Sequence, residues 1–216
     1  MYKACIFDLD GTLTDTLDSL TYSVNKTLEE MGLATITKEE CRCFVGNGAR
    51  CLMERALRAA GDTELVRIDE GMKVYGRVFA ENCTYHVKPY DGIVPMLQEL
   101  KARGIKIAVL SNKPHQRSID VVETFFGKGT FDWIQGQCDA LPRKPDPAGV
   151  FHILKEFKVR PEEGIYIGDS DVDMQTGKAA GLLTIGVNWG FRTKELLERT
   201  GADATIDHAE ELLEFL

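Results

Sequence analysis

Four short segments of this 216-residue sequence gather the side chains that can do chemistry. They are Asp8-Leu9-Asp10-Gly11-Thr12-Leu13, Ser111-Asn112-Lys113, Pro142-Arg143-Lys144-Pro145-Asp146-Pro147 and Gly168-Asp169-Ser170-Asp171-Val172-Asp173. Asp8 and Asp10 are two residues apart, and at a strand end such side chains can point the same way. Placed with Asp169, they would repel one another unless a cation neutralised them. Mg²⁺ fits, because it takes oxygen ligands and keeps several waters. One carboxylate can then attack phosphorus while the other handles a proton. Gly11 and Thr12 are expected to offer backbone N–H groups to an anion. The competing reading is a loop in which the aspartates only satisfy turns.

The other segments read in the same two ways. Ser111 and Asn112 can donate hydrogen bonds to a phosphoryl oxygen, or cap a helix that Pro114 begins. Lys144 sits in a proline-rich turn and can neutralise both an attacking carboxylate and a phosphoryl group. Alternatively it is a surface lysine. Asp169 and Asp173 are four apart at a helix entry, which suits metal binding or N-terminal capping. Asp171 lies between them and is given no direct role.

These segments need a scaffold that brings them together. Short continuous apolar runs occur at Ala4 to Leu9, Ile105 to Leu110, Gly164 to Ile167, Leu182 to Val187 and, more weakly, Ala204 to Ile206. Continuous rather than alternating apolarity predicts strands buried on both faces of a parallel sheet. Helical spacing appears between them at Ile93 to Arg103, Ile119 to Phe126, Val150 to Phe157 and Glu195 to Arg199. The pattern predicts a doubly wound, Rossmann-like α/β core formed by residues 1–15 and 83–216. Residues 16–82 contain no convincing strand. They read as an inserted small helical module with helices over Leu17 to Met31, Lys38 to Phe44, Ala49 to Ala60 and Glu64 to Glu81. In open parallel sheets, ligands bind beyond the carboxyl ends of the strands. Three of the four segments follow strand runs, so they should converge at one edge.

Composition limits the partners. Lysine and arginine number 26 against 34 acidic residues, for a net charge of −8. Binding nucleic acid through bulk positive charge is disfavoured, and no basic stripe supports it. Any anion must be met by a local site. Six cysteines form no metal-ligand spacing and read as idle thiols in a reducing cytoplasm. Residues 1–9 are too short for a secretory core, and no run approaches the ~20 apolar residues of a membrane helix. The expected partner is a small phosphate-bearing molecule, and the expected assembly a monomer or weak homodimer.

Taken in order, DLDGT at Asp8–Thr12, Ser111, Lys144 within RKPDP and GDSDVD at Gly168–Asp173 resemble the haloacid dehalogenase-like phosphohydrolases. The likeness spans essentially the whole chain, and the helical insertion resembles that family's small helical cap. It implies that Asp8 is the nucleophile and forms an aspartyl-phosphate. It implies that Asp10 protonates the leaving alcohol and then activates water. It assigns the phosphoryl group to Ser111 and Lys144. It assigns Mg²⁺ to Asp8, the main-chain oxygen of Asp10 and Asp169, with Asp173 in support. Asp10 favours phosphoryl transfer over carbon–halogen chemistry. Phosphonate-cleaving relatives need a lysine from the cap, and neither Lys26 nor Lys38 sits in a persuasive pattern.

Phe44-Val45-Gly46-Asn47-Gly48-Ala49 resembles the cap segment of the phosphoglycolate phosphatase branch. Gly46 and Gly48 would let backbone approach a small substrate, and Asn47 and Arg50 would meet its carboxylate. A plain inter-helix turn with Arg50 on the surface is the alternative. Thr14 and Thr16 flank Asp15 where relatives often carry Val and Ser. Pyrophosphatase, nucleotide phosphatase, sugar-phosphate mutase, a phospho-accepting signalling module and a non-catalytic binding protein stay open on the same residues.

Overall fold

The computed structural model describes all 216 residues. The chain opens with strand β1 (Ala4–Phe7) and a short strand β2 (Thr14–Asp15). Four helices follow: α1 (Leu17–Glu30), α2 (Lys38–Phe44), α3 (Ala49–Ala59) and α4 (Ile68–Asn82). A second short strand, β3 (Lys88–Pro89), closes this excursion. Strands and helices then alternate: α5 (Ile93–Ala102), β4 (Lys106–Pro114), α6 (His115–Phe126), β5 (Trp133–Gln137), α7 (Ala148–Phe157), β6 (Gly164–Gly168), α8 (Asp171–Ala180), β7 (Leu183–Val187), α9 (Lys194–Thr200) and β8 (Ala204–Ile206).

Six strands form one sheet in the order β5-β4-β1-β6-β7-β8, and every pairing in it is parallel. The chain builds outward from β1 to one side and then crosses to the other. This is the doubly wound topology expected from the apolar runs. β1 and β6 are buried at every residue, which explains why their sequences do not alternate. The carboxyl ends of β1, β4 and β6 lie side by side at the switch point.

Two details depart from the sequence reading. β5 was absent from it, because Trp-Ile-Gln-Gly-Gln at a sheet edge mixes polar and apolar residues and leaves no continuous run. β4 continues past Leu110 to Pro114 with an irregular register, so Ser111, Asn112 and Lys113 extend the strand rather than follow it.

The helical insertion connects to the core through two crossings. These pair with each other, Thr14 opposite Pro89 and Asp15 opposite Lys88. One apolar cluster of 37 residues runs from the sheet into the insertion, joining Phe7 and Ile107 to Leu20, Leu52, Met53 and Phe79. A cluster of nine on the other sheet face packs Ile6, Ala108 and Tyr166 against Val150 and Ile153 of α7. Each leucine or isoleucine so buried contributes about 2 kcal/mol.

Candidate active site

A cleft of about 590 Å³, open to solvent at its mouth, lies between the strand ends and the insertion. The core lines it with Asp8, Asp10, Ser111, Lys113, Lys144 and Asp169, and the insertion closes it with a mainly apolar wall that includes Val45, Leu52, Tyr75 and Phe79.

Asp8 follows β1 and is buried. Lys144 Nζ donates to Asp8 Oδ1 at 2.7 Å and to Asp173 Oδ1 at 2.7 Å. Burial, then the Asp173 carboxylate, push Asp8 up to about 7, although Lys144 pulls the other way. Burial alone would lower Lys144, but Asp173 and Asp8 outweigh it and hold the ammonium well above its ordinary value. Lys144 is no surface residue. Its backbone N–H donates to Asn112 Oδ1 at 2.9 Å, which fixes the loop on β4.

Asp173 stands in the first turn of α8. Its carboxylate accepts from Ser170 N at 3.1 Å, Ser170 Oγ at 2.5 Å and Tyr166 Oη at 3.2 Å as well as from Lys144. Ser170 Oγ accepts from Asp173 N, which completes a capping box. The capping reading of Asp173 is therefore realised, and the same cap anchors Lys144. Asp169 is held by the Thr12 hydroxyl at 3.1 Å and by Phe191 N–H at 2.7 Å. Burial and the Asp173 and Asp8 charges raise it well above the carboxylate range. Carboxylate oxygens of Asp8, Asp169 and Asp173 all lie within 4.8 Å of one another.

Two glycines make this packing possible. A Cβ at Gly11, whose φ is +91°, would stand 2.3 Å from Asp169 Oδ2. A Cβ at Gly190 would stand 2.2 Å from Asp169 Cβ.

Several expectations need correction. The N–H of Gly11 donates to Thr14 O at 2.9 Å and that of Thr12 to Leu9 O at 3.4 Å, so the turn uses both. The N–H groups of Leu9 and Asp10 take part in no hydrogen bond and are the free donors beside Asp8. Asn112 is committed too. It accepts from Lys144 N, and its amide donates to Lys144 O at 3.1 Å and to Gly46 O at 3.0 Å. It braces the loop and the insertion rather than offering itself to a phosphoryl oxygen, while Ser111 lines the cleft. Neither Ser111 nor Asn112 caps α6, which has Pro114 as its N-cap.

In the insertion, Gly46 and Gly48 line the cleft, but Asn47 and Arg50 do not. Asn47 Oδ1 accepts from Arg55 at 2.8 Å. Arg50 is half-exposed on the outer face of α3 and pairs with Glu54 at 3.1 Å and Asp69 at 3.5 Å. No lysine of the insertion lines the cleft, and Lys38 pairs with Asp18 instead.

The sequence assigns no role to Lys113, Phe191 or Arg192, which also line the cleft. Lys113 Nζ contacts both Asp10 oxygens at 2.8 and 3.1 Å with its side chain 1% exposed. Nothing in a sequence marks a lysine as buried. Phe191 and Arg192 follow β7, where the strand-end rule applied to Leu182–Val187 finds them. Arg192 donates to Arg42 O at 2.8 Å and Val45 O at 2.7 Å, tying the core to the end of α2, and lies 3.7 Å from Asp171.

Known proteins resemble this chain over most of its length. The family model for haloacid dehalogenase-like hydrolases matches residues 5–187. The phosphoglycolate phosphatase of Aquifex aeolicus is 33% identical over 189 residues, covering 88% of this chain and 86% of that protein. The phosphoglycolate phosphatase of Pseudomonas syringae pv. tomato is 32% identical over 216 residues, covering 98% and 78%. A solved structure from Lactobacillus delbrueckii subsp. bulgaricus superposes with a TM-score of 0.91 at 33% identity, covering 99% of this chain and 98% of that one. CbbY from Rhodobacter sphaeroides in complex with phosphate superposes with a TM-score of 0.84 at 26% identity, covering 98% and 96%.

Proposed function

This chain belongs to the haloacid dehalogenase-like hydrolases, and we propose that it is a Mg²⁺-dependent phosphatase of small phosphate monoesters, with 2-phosphoglycolate as substrate. The observation that carries the reading is Asp8. It stands at the base of the cleft, its carboxylate bonded only to Lys144, with free N–H groups of Leu9 and Asp10 beside it. An oxygen of Asp8 attacks phosphorus and forms an aspartyl-phosphate as the ester P–O bond breaks. The N–H groups of Leu9 and Asp10, with Ser111 and Lys144, hold the phosphoryl oxygens. Asp10 takes up a proton from solvent as it leaves the Lys113 ammonium, gives it to the leaving oxygen, then takes one from the water that hydrolyses the acyl phosphate. The insertion acts as a cap that excludes competing water.

The residues fit a divalent cation. Asp8, Asp169 and Asp173 crowd three buried carboxylates together with a single ammonium among them. Asp173 is already satisfied by four donors, which leaves Asp8 and Asp169 as carboxylate ligands, and the family resemblance adds the Asp10 carbonyl. Bound there, Mg²⁺ would neutralise charge on the phosphoryl group.

The relatives named phosphoglycolate phosphatase support the substrate. Phosphate release from a panel of phosphoglycolate, pyrophosphate, nucleotides and sugar phosphates at fixed Mg²⁺ tests it. Phosphoglycolate should give the highest kcat/KM. A sugar phosphate leading the panel would overturn the assignment. A phosphoprotein that forms without turnover would favour a signalling module.

A further inference from the structure

We propose that Lys113 selects substrates whose leaving oxygen carries a second anionic group, by exchanging its ion pair from Asp10 to that group. The proposal rests on the phosphatase reading and deepens it. Three cations line the cleft: Lys113, Lys144 and Arg192. Lys144 is shared between Asp8 and Asp173. Arg192 is occupied by the carbonyls of Arg42 and Val45, and its bonds hold the insertion. The Lys113 ammonium bonds to no group other than Asp10, and it is the one cation beside the carboxyl that must reach the leaving oxygen.

That pairing has a consequence for Asp10. Both of its oxygens are occupied by the ammonium, so the carboxyl is turned toward Lys113. The pair is almost fully shielded, with side chains 1% and 12% exposed, and water offers Lys113 little replacement. Above it the Phe79 ring of α4 lies 4.8 Å from Nζ. This ring favours a cation but supplies no counter-charge. A substrate with a neutral tail gives Lys113 no new partner, and Asp10 stays engaged. A carboxylate on the carbon next to the ester oxygen, or a second phosphoryl group, supplies that partner within reach of the same ammonium. Lys113 then moves to it and the Asp10 carboxyl is released toward the leaving oxygen. Selection therefore falls on kcat as well as on KM.

The test compares 2-phosphoglycolate with 2-hydroxyethyl phosphate, which differs in the charge of its tail, on wild type and Lys113→Met. At saturation the wild type should turn over phosphoglycolate about tenfold faster or more, and the variant should lose most of that ratio. The two esters differ in leaving-group chemistry, but that difference is common to both enzymes and cancels in the ratio of ratios. A ratio unchanged by the substitution overturns the proposal, as does a preference confined to KM. The wild-type comparison of kcat decides the matter even if Lys113→Met does not fold, because equal wild-type values overturn the exchange. Lys113→Arg keeps the charge and should keep the preference. Failure of the wild type to hydrolyse either ester or any member of the phosphate panel overturns the phosphatase reading instead.

Discussion

Without a metal, the cluster around Asp8 should make the protein less stable as pH rises from 5 to 8. Asp8 moves from its ordinary 3.8 to about 7 in the folded protein, chiefly through burial. A carboxyl raised on folding binds its proton more tightly in the native state. Stability therefore falls as pH climbs past the unfolded value, and the loss is complete above the folded value. The whole shift corresponds to on the order of 4 kcal/mol, of which about 2.5 kcal/mol falls between pH 5 and 8. For a chain of this length that is roughly 5–10 °C in Tm. Asp169 is raised by the same burial and adds in the same direction. Lys144, held above its ordinary value, stays charged in both states throughout this window and contributes no slope. The surface carboxylates with lowered values, such as Glu163 at about 2, titrate below the window. Thermal unfolding in a chelator across pH 5–8 measures the effect. Asp8→Asn should flatten much of the slope and raise Tm at pH 8, and Mg²⁺ should restore wild-type Tm most strongly at high pH. A metal-free Tm that is level or rises across the window would refute the argument.

Other outcomes follow from the same cluster. Gly190→Ala would press a methyl against Asp169, so half-activating Mg²⁺ should rise about tenfold or more while the fold persists. An unchanged Mg²⁺ titration would remove Asp169 from the metal set. Lys144→Met strips the ammonium from Asp8 and Asp173 and should cost about 3–5 kcal/mol in urea unfolding at pH 7, with loss of turnover. Retained stability would mean that the pair is not the counter-charge described here.

The sheet and the chemistry-bearing strand ends were legible because both rest on local signals. Fully buried parallel strands leave continuous apolar runs, and Asp8, Asp10, Asp169 and Asp173 stand at or near their ends, while Lys144 was marked by its proline-rich turn. What stayed hidden depends on contacts between distant segments. Lys113 is indistinguishable from a surface lysine until α4 covers it with Phe79. Asn112 looks like a phosphate donor until the Lys144 loop and Gly46 claim its amide. Arg50 suits a carboxylate in the sequence, yet the helical phase of α3 turns it outward to Glu54 and Asp69. The N–H donors shifted from Gly11 and Thr12 to Leu9 and Asp10 because the closure of the turn decides which groups remain free.

The central claim is that Asp8 carries the phosphoryl group through a covalent intermediate. Rapid acid quench of the enzyme turning over radiolabelled phosphoglycolate, followed by peptide mapping, tests it most directly. One hydroxylamine-labile phosphoryl group should appear on the peptide containing Asp8, and none in Asp8→Asn. Turnover without protein-bound phosphate, or a label on another residue, would contradict it.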